Sequence, residues 1–148
     1  MTAELDTIIS TLHSDEARLA FLNNIYVPGN RDVADRILSL NEDSSIVTKE
    51  IAHAREVGDI DRLREMGRSH IDYHVRHNFD ILLRDVVMGW QDVELADYAI
   101  EQMTSKPEED RKLEGPLKYA SEIAESFGKP ELARSLLERL LKLQERDA

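Results

Sequence analysis

Apolar residues recur at three- and four-residue intervals along almost the whole chain, the spacing that gathers them on one face of an α-helix. Leu5, Ile8, Ile9 and Leu12 mark a first helix over 3–12. Ser14 stands where an N-cap belongs, with Asp15 and Glu16 opening a second helix that carries Leu19, Leu22 and Ile25. Pro28-Gly29-Asn30 is a turn, and Asn30 caps a helix through Leu40. A polar loop, 41–45, precedes a helix over 46–57 that ends at Gly58. Asp59 opens a short helix with Ile60, Leu63 and Met66. Gly67-Arg68-Ser69 is expected to separate it from a central helix over 69–89, with Ser69 as N-cap and no Pro or Gly before Gly89. Further helices cover 93–103 and 116–127, and the last carries Leu132, Ala133, Leu136, Leu137, Leu140, Leu141 and Leu143. Ser105-Lys106-Pro107-Glu108 combines a cap, an early proline and an acid, so it predicts a restart whose charged turn ends at Gly115. No stretch alternates apolar and polar residues as a strand does. The fold class is therefore all-α, in one domain over 1–148.

The central helix organises this pattern. A helix turns roughly 100° per residue, so His70, His74 and His77 fall within about 60° of one another, with Ile81 and Met88 continuing that face. Ile71, Val75, Leu82 and Val86 form a second stripe, and a helix apolar on two sides packs between neighbours.

Four glycines punctuate the chain: Gly29, Gly58, Gly89 and Gly128. Each is followed by a helix entered through Asp, Asn, Gln or Pro. The aligned small or apolar positions are Ala34, Leu63, Ala96 and Ala133, spaced by 29, 33 and 37 residues. A period of about 34 residues with two helices per unit is the mark of stacked helical hairpins. Glycines that merely end the helices of a compact, non-repeating bundle are the alternative. Leu117, Ala120, Ser121, Ala124, Gly128, Ala133, Leu137 and Leu140 reproduce the large, small and turn positions of a tetratricopeptide repeat, so the stretch 117–141 resembles that family. The family's first-helix aromatic is absent, and only Pro107 stands near the place of its closing proline. The resemblance implies a protein-interaction scaffold with ligand contacts on the first helix of each hairpin.

Composition narrows the choice. The chain of 148 residues has a formal net charge of -11 and is 33% charged, which argues against nucleic-acid phosphates or an anionic membrane and permits a basic peptide, a basic surface or a cation. There is no cysteine, which excludes disulfides, thiolate nucleophiles and Cys-type zinc sites. Aromatics are only 5%, too few for stacking platforms. The N-terminal stretch lacks the basic and long apolar regions of a signal peptide, and no run approaches a membrane span, so a cytoplasmic protein is expected.

Candidate chemistry centres on the histidines. Imidazoles four apart on one helix face can share a metal, so a divalent transition metal on His70, His74 and His77, with Glu50 or His53 added, is the alternative reading. The Glu50-x-x-His53 spacing occurs in di-iron bundles, which need a second such pair that this chain lacks. His13-x-x-Glu16 and the run Glu108–Lys112 read as solvated, and Trp90 reads as a helix-end anchor. No phosphate loop or nucleophile elbow is present, which leaves only an atypical enzyme open. The expected function is non-catalytic: binding a protein or peptide, without a cofactor, through His70, Tyr73, His74, His77 and Arg84. The leucine-rich last helix adds a candidate homodimer interface through Leu136, Leu137, Leu140, Leu141 and Leu143.

Overall fold

The structure, a computed structural model, describes residues 2–105 and 113–146. The described residues form nine α-helices and no strand: α1 (Thr2–Ser10), α2 (Asp15–Ile25), α3 (Arg31–Leu40), α4 (Ser44–Val57), α5 (Ile60–Arg76), α6 (Asp80–Trp90), α7 (Val93–Thr104), α8 (Glu114–Ser126) and α9 (Pro130–Arg146). No described helix is long and apolar enough to cross a membrane. The chain divides into two compact units, Met1–Met66 and Gly67–Ala148, whose boundary falls inside α5.

Helix starts follow the chemistry of their caps. Ser14 accepts from the Ala17 N–H, Asn30 from Val33, Asp43 from Ser45 and Ile46, and Asp92 from Leu95. Each cap satisfies an amide that has no partner inside its helix, typically a contribution of about 1 kcal/mol. In the first unit, Leu5, Leu22, Val33, Ala34, Ile37 and Ile46 make one core, with α2 packed on α3 and α3 on α4. In the second unit α6 packs on both α7 and α8, α7 packs on α8, and α8 has its most extensive contact with α9. The buried face of α6 is Leu83, Val87 and Trp90, that of α7 includes Leu95, Ala96 and Ala99, and that of α8 includes Leu117, Ala120 and Ala124.

Helix boundaries differ from the expected ones at four places. Gly67 does not separate two helices: α5 runs unbroken from Ile60 to Arg76, and Ser69 caps nothing. The glycine is there for close approach, since a Cβ at position 67 would stand 2.7 Å from Leu95 Cδ1 of α7. The central helix expected over 69–89 is instead broken at Asn78, whose φ of 57° is left-handed. There the Phe79 N–H reaches the His74 carbonyl at 2.9 Å and the Asn78 N–H reaches the Val75 carbonyl at 3.3 Å, the paired bonds of a Schellman ending. Gly89 lies inside α6, and the left-handed residue that follows is Gln91, φ 56°. Gly115 lies in the first turn of α8, where its backbone passes Asp80 so closely that a Cβ would be 3.1 Å from the carboxylate. The break at Asn78 also divides the two predicted stripes, because it resets the helix phase. Ile71 is buried, but Ile81 and Leu82 point outward and Leu83 takes the inward place. The expected restart at 105–108 and the run Glu108–Lys112 lie almost wholly outside the described residues, which resume at Leu113.

The two interior helix glycines should therefore respond oppositely to alanine. Gly67→Ala gains up to about 1 kcal/mol of helix propensity but forces the buried Leu95 to move, an overpacking cost of about 1–3 kcal/mol. A net loss near 1 kcal/mol is expected. Gly89→Ala meets nothing within 4 Å and should gain up to about 1 kcal/mol. Urea denaturation of the two variants beside the parent chain measures both signs.

Candidate functional site

Glu50 of α4 is 2% exposed and fully engaged. Its Oε2 accepts from the Tyr26 hydroxyl at 2.7 Å and from the Gly29 N–H at 2.8 Å, and its Oε1 takes Arg62 Nη2 at 2.9 Å. Burial by itself would raise the Glu50 carboxyl, but the Gly29 amide, the Arg62 guanidinium and the Tyr26 hydroxyl together hold it below its ordinary range. Burial, and then the Glu50 carboxylate, push the Tyr26 hydroxyl well above its ordinary range. Arg62 also meets Asp35 at 3.1 Å and Glu65 at 3.4 Å, and Arg31 bridges Glu65 at 2.7 Å. His53, one turn after Glu50, lies against the same turn: a Cβ on Gly29, whose φ is 95°, would be 2.4 Å from His53 Nε2. The Glu-x-x-His spacing is thus used to clamp the 26–30 turn, with the carboxylate on its amide and the ring over its glycine.

The histidines of α5 divide between interior and surface. His70 and His74 are each 7% exposed and lie ring on ring, centroids 4.1 Å apart. Trp90 of α6 meets His70 edge-on at 5.6 Å, an inward anchor at the helix end. The His74 Nδ1 donates to the His70 carbonyl at 2.9 Å, since that carbonyl can only accept. His77 is exposed and stacks on Phe79 at 5.7 Å, and the Tyr73 ring lies 4.4 Å from His77 and 6.2 Å from Phe79. The His70 and His74 rings face packing, not an outward partner surface. Glu50 and His53 belong to the first unit and the three α5 histidines to the second. Among the described residues no three His, Asp or Glu side chains gather as a metal would need.

Arg84, on α6, reaches across to α8. Its Nη1 donates to Glu122 at 2.8 Å, and its guanidinium lies 5.0 Å from the centre of the Tyr119 ring. Beside this bridge an open groove of about 300 Å³ is lined by Asn78, Phe79, Asp80, Ile81, Leu82 and Tyr119. Phe79, Ile81 and Leu82 are 41%, 52% and 57% exposed. Four large apolar or aromatic side chains at one open site are more than scattered surface residues. None of Phe79, Ile81, Leu82 or Tyr119 stood among the expected contacts. The signal that could have found them is Asn78-Phe79-Asp80, an asparagine able to take the left-handed turn followed by a new helix start.

Compared with protein-family models, with curated proteins and with solved structures, the chain matches none.

Removing the charge on Glu50 takes one of three carboxylates from Arg62, which keeps Asp35 and Glu65. Glu50→Gln should cost about 1–3 kcal/mol, the range for weakening buried hydrogen bonds to a charged group. Because the folded carboxyl is held below its ordinary value, its contribution is complete at neutral pH and is lost as pH falls below the unfolded value near 4.5. Denaturation midpoints followed from pH 7 to pH 3 should converge between the parent and Glu50→Gln at the acid end.

Proposed function

We propose that the protein is a non-catalytic interaction module that holds a segment of a partner protein in the groove of its second unit. The observation that carries this reading is the open apolar groove between α6 and α8, with Phe79 at the N-cap of α6, Ile81 and Leu82 on α6 and Tyr119 on α8. Packing of α6 on α7, α6 on α8 and α8 on α9 supports two stacked hairpins, α6/α7 and α8/α9, in the manner of tetratricopeptide repeats. In such a stack the first helices line the ligand surface, and α6 and α8 are the first helices here. The four aligned repeat positions Ala34, Leu63, Ala96 and Ala133 are all buried, which supports the same reading. His77 and Arg84 flank the groove as contacts of the partner, Tyr73 backs them, and His70 and His74 act from behind. An apolar or aromatic side chain would fill the groove, and the formal charge of -11 favours Lys and Arg on either side of it.

Selection of displayed random peptides on the whole chain tests this. Peptides with one aliphatic or aromatic anchor flanked by basic residues should be enriched. Their affinity should fall at least about tenfold for Leu82→Asp or Phe79→Ala, the loss of one well-buried anchor contact. Enriched peptides that bind these variants as well as the parent would place recognition elsewhere.

A second association has its own observation. Leu132, Leu137 and Leu141 of α9 are exposed, whereas Leu136 and Leu143 are buried in their own unit. We read the outward leucines as the part of α9 open to a second copy. Sedimentation should give a concentration-dependent dimer in the parent that Leu137→Glu with Leu141→Glu abolishes. A monomer at all concentrations contradicts it.

A further inference from the structure

Neither ring nitrogen of His70 has a hydrogen-bond partner in the protein, although the residue is 93% buried, the complement of its 7% exposure. A neutral imidazole carries one N–H and one lone pair, and a protonated one carries two N–H groups and a charge. The site has no acceptor for either. Its surroundings are rings: His74 on the same helix and Trp90 from α6. From α7, Leu95 packs at Gly67, one turn earlier on α5. His74 is the one titratable neighbour whose charge acts on His70, and its effect is repulsive. Carboxylates and cations on the packed helices are bound elsewhere: Asp72 of α5 takes the Tyr98 hydroxyl of α7, Arg84 of α6 lies between Asp85 and Glu122, and Asp97 of α7 pairs with Lys129. No carboxylate bonds to either ring nitrogen of His70.

The same cluster reaches the groove. The Phe79 ring lies 5.8 Å from the His74 ring, and Phe79 also lines the groove. Its N–H is bonded to the His74 carbonyl through the Asn78 turn. A change in the packing of His74 is thereby transmitted to the groove edge by both side chain and backbone.

We propose that the His70–His74 pair is an acid-sensitive latch on the groove, which packs the Asn78 turn and Phe79 in place while His70 is neutral and releases them when His70 takes up a proton. The proposal rests on the groove being the binding site. Burial first, and the charge of His74 second, lower His70 from 6.5 to about 4. The closed form thus resists protonation of His70, while an opened form lets His70 bind a proton at its ordinary value. Closure is at full strength above pH 6.5. Below it the opening equilibrium rises about tenfold per pH unit, and on the order of a hundredfold by pH 4.5, before levelling near pH 4.

Amide hydrogen exchange in α5 and α6, corrected for intrinsic exchange, reads the opening directly, and the single tryptophan, Trp90, reports the same event by its emission. Both are measured on the whole chain without ligand from pH 7 to pH 4.5. In the parent, protection should fall about tenfold per pH unit below 6.5 and Trp90 emission should shift to the red. His70→Leu should be flat over the same range, and His70→Gln, which also cannot titrate, serves if the leucine variant does not fold. A flat parent, or a variant that follows the parent's slope, overturns the latch. Leu82→Asp, which acts on the groove alone, should titrate like the parent, so a failure of the groove leaves this part standing. Peptides selected on the groove should be released at pH 5 from the parent and retained by His70→Leu. Equal retention by both, or the absence of any groove-binding peptide, overturns the coupling to the groove.

Discussion

One backbone conformation governs the second unit: the left-handed turn at Asn78. An L-residue in this region costs roughly 1–2 kcal/mol, less for asparagine, whose short polar side chain tolerates it. The Schellman bonds from Phe79 and Asn78 to the preceding turn offset that cost. Once the chain turns there, the phase of α6 is independent of α5. Leu83, Val87 and Trp90 face inward, and Trp90 returns to the His70 ring of α5. Ile81 and Leu82 are left outward beside Phe79. A helix continuous through Asn78 would carry those positions on one unbroken spiral and could not form this corner.

The first unit solves a related problem with charge. Its turn at 26–30 is fastened by Glu50, a buried carboxylate satisfied by an amide, a hydroxyl and a guanidinium. Buried ion pairs add little net stability when well-packed apolar groups could replace them. Here the carboxylate also fixes an amide and a hydroxyl that would otherwise lack partners, which sets the entry to α3. Both units thus depend on a helix side chain or carbonyl that ends a short turn.

Sequence made most of the helices legible because their caps are local: Ser14, Asn30 and Asp92 each bond to the amide three residues ahead, and such bonds leave a spacing that can be read. It misread Gly67 because glycine serves both turns and close helix contact, and Gly89 because a helix also carries a glycine that meets nothing. At Gly67 only the position of Leu95, 28 residues along the chain, distinguishes the two. The histidine face was read as one surface, but it divides into buried His70 and His74 and exposed His77, and that division depends on Trp90 and Phe79, which follow the Asn78 turn. The groove was hidden for the same reason: Tyr119 joins Phe79 and Leu82 only after α8 has packed on α6. Arg84 was found as a contact candidate, while its partners Glu122 and Tyr119, both on α8, were not.

The proposed binding module needs a surface held in shape without ligand, and the corner at Asn78 packs rings behind it and leaves apolar side chains before it. Backbone chemical shifts across residues 74–82 test that corner most directly. The account predicts helical shifts to Arg76, a left-handed Asn78 and a fresh helix from Asp80. Uninterrupted helical shifts from Ser69 to Gly89 would contradict it, since a single straight helix leaves neither the turn nor the groove.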